Sequence, residues 1–415
     1  MNLVKTSMLT FIATVIKVLS GLVINKAISI FIGPSGLALI GQFQNSIGII
    51  QSIARGGINS GVTKYTAEYA EDFSKTEHLW SSALRLTLIF SFLTSTFIIL
   101  FNDYLSKIIL KSDSHGYIFI VFGFTLILFS INQLLLSIIN GLKEIKLFIS
   151  VNIAQSIYGL VFTTLLVAIL KIDGALLAIV TNQSVVFFYL LWKLRGRIDY
   201  LSKRFRKKLE SEHSRKLLKY SLMSLTSAFC LPISLMIIRN HLGDNYSWES
   251  AGHWQAMTYI SSMYLMVVTT ALSTYYLPRL SEINNKKELR VELKRGYIIL
   301  LPIVIILSFA LYILKDIVIS ILFSKQFFDM RELFKWQLIG DTLKISSWLL
   351  SYLMLAKAMT RTFIFTELVF SLFFVVSSIF FINSFGVVGV TYSYSLSYFL
   401  YFFLILYLMK KHIMD

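Results

Sequence analysis

SMLTFIATVIKVLSGLVINKAISIFI, residues 7–32, is the stretch that decides the fold. It is long enough to cross a bilayer, for which roughly 20 mostly apolar residues suffice, yet Lys17 stands near its middle. A lysine at mid-bilayer costs about 2.5–3.5 kcal/mol on insertion scales and normally faces a bundle interior or a wet cavity. Thr10, Ala13, Thr14, Lys17, Ser20 and Gly21 recur at three- and four-residue steps and form one small, polar stripe. Phe11, Ile12, Val15, Val18, Leu19 and Leu22 cover the rest of the circumference. One face therefore meets lipid or packed protein, and the other meets something polar.

The next segment carries the same pattern more strongly. Gly41, Gln44, Asn45, Gly48, Gln51, Ser52, Arg55, Gly56, Asn59, Ser60 and Thr63 lie on one side of a helix. A third polar stripe runs through Gln337, Gly340, Asp341, Lys344, Ser347 and Ser351. These stripes predict a water-accessible, positively charged cavity inside a membrane bundle, with anionic contents.

Composition sets the class. The chain has 415 residues, of which 56% are hydrophobic and 15% charged, with a mean hydropathy of +0.71. Soluble domains are usually about 25% charged, so the chain reads as an all-α integral membrane protein. Twelve transmembrane helices are expected, at 7–32, 37–64, 79–101, 115–140, 147–170, 174–193, 217–241, 250–277, 296–315, 333–356, 362–383 and 386–409. The N-terminal apolar run is too long for a cleaved leader, and no small-x-small site follows it. The net charge of +17 would suggest nucleic acid in a soluble protein. Here it sits mostly in loops, where it sets orientation and meets anionic lipid headgroups, and no nucleic-acid partner is expected. Cys230 is alone and reads as a packing residue.

Loop charge predicts direction. One set of loops holds Lys143 and Lys146, the run from Lys193 to Lys216, the run from Arg279 to Arg295, and Lys357, Arg361, Lys410 and Lys411. The other set, Gly33–Gly36, Asn102–Ser114, Lys171–Asp173, His241–Glu249, Lys315–Glu332 and Asn383–Gly386, is poor in cations. The bias places both termini in the cytoplasm. The basic stretch 196–216 divides the chain into an N-lobe, 1–195, and a C-lobe, 217–415, of six spans each. It is either a solvated linker or an amphipathic helix on the inner leaflet. A self-comparison at a shift of 211 residues supports two like halves. It overlays Gly41 on Gly252, Gln44 on Gln255, Ile49 on Ile260, Thr63 on Thr274, Tyr65 on Tyr276 and Glu71 on Glu282. Both copies run in the same direction, which predicts two lobes with a cavity between them.

No zinc-ligand spacing, Walker-type phosphate loop or nucleophile elbow is present, so neither a cofactor nor covalent chemistry is expected. Candidate anion contacts are Lys17 and Arg55, a compact ammonium and a planar fork that both suit phosphate oxygens. The bland account of each is a structural pairing with a carboxylate or a backbone carbonyl. Lys26 reads chiefly as a lysine reaching for headgroups. Lys64, at the inner end of its span, either greets an entering headgroup or obeys the charge bias. Arg239 mirrors Lys26 in the second half. Gln44, Asn59 and Gln337 line the expected cavity. Asp341 and Lys344, three apart on one face, either neutralise each other or divide the work, Lys344 holding substrate and Asp341 taking up a proton. Glu367 is the second candidate for ion coupling. Tyr392, Tyr394, Tyr398 and Tyr401 read as interface and lipid-facing aromatics.

Several runs resemble one family. Asn59-Ser60-Gly61-Val62-Thr63-Lys64-Tyr65 is similar to the end of the second span of Wzx flippases. So are Tyr246-Ser247-Trp248 with Gly252-His253-Trp254-Gln255, Leu277-Pro278-Arg279-Leu280, and the run from Met330 to Lys344. Together they resemble the WzxE type, the flippases of lipid III of enterobacterial common antigen, and the O-antigen translocases near it. The resemblance covers nearly the whole chain. It implies the fold of the MOP exporter superfamily, alternating access between two six-helix lobes, and residence in the bacterial inner membrane. It implies as substrate an undecaprenyl-diphosphate-linked glycan, and dependence on an ion gradient. Membrane lipids and a polysaccharide polymerase and chain-length complex are the implied partners. Lys17, Lys64, Asp341 and Lys344 stand where that family's polar positions would be; Arg55 departs from its pattern. The competing expectation is a multidrug extruder of the same superfamily, which would need a cavity of the opposite sign for cationic drugs.

Overall fold

The computed structural model describes residues 3–197, 205, 211–283, 285–357 and 359–413. Most of the basic stretch 196–216 lies outside the described residues, as does the side chain of Thr10. Among the described residues there are helices and no strands. That is the arrangement lipid demands, because a helix satisfies its own backbone hydrogen bonds where no water can.

In chain order the first helices are α1 (Leu3–Phe31), α2 (Gly33–Ala54), α3 (Asn59–Glu68), α4 (Phe73–Leu100), α5 (Asn102–Leu110), α6 (Gly116–Gly141) and α7 (Ile145–Leu194). The later ones are α8 (Ser211–Asn245), α9 (Trp248–Ala271), α10 (Leu277–Glu282), α11 (Lys286–Ile313), α12 (Lys315–Leu322), α13 (Phe334–Ala356), α14 (Thr360–Phe385) and α15 (Gly389–Ile413). Adding 211 to the bounds of α1, α4 and α5 gives 214–242, 284–311 and 313–321, each within three residues of α8, α11 and α12. The order of long and short helices is thus written twice.

Seven helical stretches among the described residues are long and apolar enough to cross a membrane. Two of them, Ile145–Arg197 and Thr360–Lys410, run to 53 and 51 residues. At 1.5 Å per residue, each could cross a core of about 30 Å twice. Helix α7 turns at Lys171, whose φ of 51° is left-handed. Gly174 follows because a Cβ there would lie 2.0 Å from the Leu166 carbonyl oxygen. Helices α2, α9 and α13 fall outside the seven. Their polar stripes lower their hydropathy; those of α9 and α13 are largely buried, with His253, Gln255, Ser261, Gln337, Asp341 and Ser347 all within the bundle. The chain is an all-α, multi-pass membrane protein.

The expected single span at 37–64 is broken. Helix α2 ends at Ala54, Gly56 and Gly57 take φ of 61° and 64°, and α3 begins at Asn59. Only glycine adopts those angles freely, so the Arg55-Gly56-Gly57 turn redirects the chain.

The helices group into two compact units, Met1–Ile32 with Leu39–Pro232, and Gly33–Ala38 with Ile233–Asp415. In the first, α7 packs along α1 and α6, and α6 along α4 and α3. Trp80 is fully buried there, and its indole N–H donates to Thr66 Oγ1 at 3.0 Å. In the second, α13 and α14 both pack on α15, and α11 packs on α13. Small residues let these backbones close up, as is usual in membranes. At Gly340, for instance, a Cβ would meet the Tyr394 ring at 2.3 Å.

Candidate functional site

The polar stripe of α1 lines a cavity of about 590 Å³ within the first unit. Ala13, Thr14, Lys17, Ser20, Gly21 and Ile24 form one wall. Asn140 from α6 and Ile145, Phe148, Ile149, Asn152, Gln155, Ser156, Gly159 and Asn182 from α7 form the other. Lys17 is the midpoint of α1, 14 residues from either end, which at 1.5 Å per residue is about 21 Å in. It is exposed to the cavity, and its ammonium makes no hydrogen bond or ion pair with any described residue. Among the described residues no carboxylate lines the cavity. The cavity thus offers one fixed positive charge, neutral amides and hydroxyls, and an apolar strip of Ile24, Ile145, Phe148 and Ile149.

The other expected cations lie elsewhere. Arg55 does not line this cavity. It caps α2, half-buried, with Nε donating to the Gln51 carbonyl at 3.0 Å and its guanidinium 5.5 Å from the Phe129 ring centre. Lys64 is exposed on α3 over the Tyr65 ring at 5.2 Å. Lys26 is half-buried, and Gln44 is exposed on α2. Asn59 ties α3 to α6, its amide donating to the Gln133 carbonyl at 3.1 Å and to Ser137 Oγ at 3.0 Å.

In the second unit, Arg239 does not reach toward headgroups as its span-end position suggested. It is 1% exposed, donates to Gln255 Oε1, and lies over the Trp254 ring at 5.8 Å. Gln337 is buried, with Nε2 donating to Ser261 Oγ at 3.3 Å.

Asp341, Lys344 and Glu367 share one cluster, and tyrosines join them. Asp341 is fully buried and accepts from the hydroxyls of Tyr264 and Tyr394, each at 2.9 Å, on its two oxygens. Lys344 forms no ion pair with it; the ammonium lies 4.8 Å from the Trp348 ring centre, 5.8 Å from Tyr398 and 6.0 Å from Tyr394. Such ring faces attract a cation. Glu367 accepts from Tyr401 at 2.9 Å. The rings of Tyr394 and Tyr398 are 4.9 Å apart and those of Tyr398 and Tyr401 6.3 Å.

The expectation that these tyrosines face lipid or interface is therefore corrected: Tyr394, Tyr398 and Tyr401 are 8%, 3% and 4% exposed. Their spacing, 394, 398 and 401, was the available signal, since it places them on one helical face. Gly340 makes the arrangement possible by letting α13 approach Tyr394, so that Asp341 reaches its hydroxyl.

A second, smaller cavity of about 240 Å³ lies in the same unit and has the opposite sign, with Glu249, Asp329 and Glu332 beside Ser247, Ser250 and His253. Among the described residues no group of three His, Cys, Asp or Glu side chains could hold a metal ion.

Comparison with known proteins completes the picture. Residues 3–284 match the family described as polysaccharide biosynthesis protein. The chain is 30% identical over 409 residues to the lipid III flippase of Escherichia coli (strain K12), covering 97% of both, and equally similar to the lipid III flippase of Shigella flexneri. Among solved structures, an inward-facing multidrug resistance MATE family transporter of the MOP superfamily superposes with a TM-score of 0.74 at 13% identity, covering 95% of each chain. The lipid II flippase MurJ in an inward closed conformation gives 0.72 at 15% identity, covering 98% of this chain and 87% of that one. At such identities these two show a shared fold.

Proposed function

From the premise that the chain belongs to the polysaccharide biosynthesis protein family, we propose that it is a flippase. It moves an undecaprenyl-diphosphate-linked oligosaccharide from the cytoplasmic to the periplasmic leaflet of the bacterial inner membrane by alternating access. Its cargo is lipid III of enterobacterial common antigen or a related O-antigen repeat unit. It is a transporter and not an enzyme, and both termini are cytoplasmic.

One observation carries this proposal: Lys17, at the middle of a membrane helix, has no partner for its ammonium among the described residues and stands in an amide-rich cavity with no carboxylate in its described lining. A charge placed there is costly unless an opposite charge or water meets it, and a diphosphate headgroup supplies the opposite charge. The apolar strip beside it suits the start of a polyprenyl chain. The chain-long likeness to two lipid III flippases supports the cargo class. A multidrug extruder shares the fold, but a cationic drug would be repelled by Lys17.

Asp341 and Glu367, each held by tyrosine hydroxyls, are the proposed ion-coupling groups, and Lys344 stands beside them as a second contact for the headgroup.

The test is translocation of a fluorescent polyprenyl-diphospho-oligosaccharide in proteoliposomes, with and without a pH gradient. Lys17→Ala is expected to lower the rate at least tenfold while membrane insertion and thermal stability are kept. An undiminished rate overturns the proposal. Asp341→Asn is expected to remove the response to the gradient.

A further inference from the structure

We propose that the smaller, acidic cavity of the second unit binds an organic cation that donates hydrogen bonds, a primary ammonium or a guanidinium carried on a slender chain. The site is separate from the one assigned to the headgroup and does not depend on it. Residues of two cation-poor loops, His241–Glu249 and Lys315–Glu332, form it together with Val387 and Val388, just past the third such loop, all within one compact unit. Glu249, Asp329 and Glu332 line it, in a chain whose net charge is +17. None of the three makes a side-chain hydrogen bond or an ion pair with any described residue. Cations are at hand and are spent elsewhere. Arg331, between Asp329 and Glu332 in sequence, pairs with Asp316 at 3.7 Å and donates to the Phe328 carbonyl at 3.1 Å. Lys335 lies over the Trp336 ring at 5.8 Å.

Three exposed carboxylates alone make only a solvated acidic surface, but a buried ring on the cavity wall adds an independent feature. His253 is 7% exposed and lines the cavity. Its Nε2 lies 2.9 Å from the Gln326 carbonyl oxygen. A carbonyl only accepts, so Nε2 carries the proton, and in the neutral ring Nδ1 keeps a bare lone pair. That Nδ1 has no partner among the described residues and is not sealed from solvent. The ring packs edge-on against Phe327, with centres 5.8 Å apart. An acceptor left without a donor in a buried side chain is the expensive case, and this one shares its cavity with three carboxylates. Ser247 already spends its hydroxyl on Ser250 Oγ at 3.0 Å. The wall is therefore rich in acceptors and negative in sign. An anion is repelled, and the group that fits is positive and donates several hydrogen bonds.

Spread and size narrow the class. Among the described residues no three of these His, Asp and Glu side chains could close on one metal ion, so the occupant spans the acceptors and is not a bare ion. At about 240 Å³ the cavity falls below the roughly 300–1,000 Å³ of drug-sized sites, which suits a single alkylammonium or guanidinium arm. Leu333, Val387 and Val388 supply an apolar side for its methylene stem, much as long cationic side chains lay their stems on apolar surface and keep their heads polar. A primary ammonium brings three N–H donors and an arginine-type guanidinium five, enough to serve the histidine nitrogen and the carboxylates together. A quaternary ammonium carries the same charge and no donor, and leaves the His253 lone pair unmatched. Two sources share this chemistry: a free polyamine, and a lysine or arginine side chain presented by another polypeptide. On the orientation proposed above, either reaches the cavity from the periplasm.

The experiment measures equilibrium binding to the detergent-solubilised full chain by calorimetry. The probes are agmatine, an end-blocked pentapeptide with a central arginine, and the matched pair butylammonium and butyltrimethylammonium. Saturable binding of agmatine or the peptide is expected, with butylammonium at least about threefold tighter than its trimethylated counterpart. Glu249→Gln, Asp329→Asn and Glu332→Gln lie at exposed positions and keep side-chain size. Each is expected to weaken binding about two- to fivefold, the range of exposed ion pairs, and added salt is expected to weaken it further. His253→Phe keeps a ring and removes the acceptor, and is expected to abolish the preference within the butyl pair. Agmatine bound without the peptide identifies a free polyamine as the source, and the peptide bound as tightly or more tightly identifies a basic side chain of a partner. Saturable binding by no probe, an affinity unmoved when all three carboxylates are replaced together, or equal affinity for the butyl pair overturns the proposal.

Discussion

Replacing Gly340 by Ala should unseat the Asp341 cluster from a distance of one residue. The added Cβ would lie 2.3 Å from Tyr394 Cδ1, 2.8 Å from its Cε1 and 3.2 Å from Ser395 Oγ. Ordinary contact needs about 3.5 Å or more, so the ring must retreat by about 1 Å. Its hydroxyl donates to Asp341 Oδ1 at 2.9 Å, and a retreat of that size takes the pair beyond hydrogen-bond range. Overpacking of this kind costs about 1–3 kcal/mol, and a lost bond to a carboxylate about 1.5–3 kcal/mol. The better helix propensity of Ala returns about 1 kcal/mol. The net expectation is a loss of about 1.5–5 kcal/mol. Equilibrium unfolding in mixed detergent micelles measures it, and a double-mutant cycle with Tyr394→Ala assigns it. With the ring gone, Gly340→Ala should cost nothing and can gain up to about 1 kcal/mol. A neutral Gly340→Ala in the parent, or an unchanged cost in the Tyr394→Ala background, would refute the link between close approach and the carboxylate.

Asn59→Ala should separate a structural role from a binding one. Its amide makes two hydrogen bonds to α6, so unfolding in micelles should show a loss of about 1–3 kcal/mol, while affinity for a polyprenyl diphosphate stays unchanged. Asp72 caps α4 at the membrane surface, and the Lys75 side chain and backbone N–H hold its carboxyl below the ordinary value. A lowered folded pKa means that the stabilisation is fully present above the unfolded value of about 3.9. It is lost as pH falls from there through the folded value. Thermal unfolding measured from pH 6 downward should therefore show an acid limb that Asp72→Asn flattens.

Much of the molecule was legible in the order of residues alone. Composition required a membrane protein, because a chain with 56% hydrophobic residues and short polar gaps cannot bury itself in water. Helical period alone put Ala13, Thr14, Lys17, Ser20 and Gly21 on one face, and they line one cavity. The repeat at 211 residues foretold the doubled element order. These signals are local or periodic, and so survive without coordinates.

What lay beyond the sequence depends on which helix packs on which. Nothing in α1 says that its polar face meets the amides of α7 and not Arg55, 38 residues on. The break at Gly56 and Gly57 sends Arg55 into contact with Phe129, and a turn's direction is not encoded in helical period. Tyr394, Tyr398 and Tyr401 have the composition of lipid-facing aromatics, and only the approach of α13 across Gly340 puts one of their hydroxyls on Asp341. A side chain's chemistry is set by its own atoms, whereas its partner is chosen by packing between segments distant in the chain. The tertiary structure therefore decided which charges stand unpaired beside a cavity and which are absorbed into the bundle.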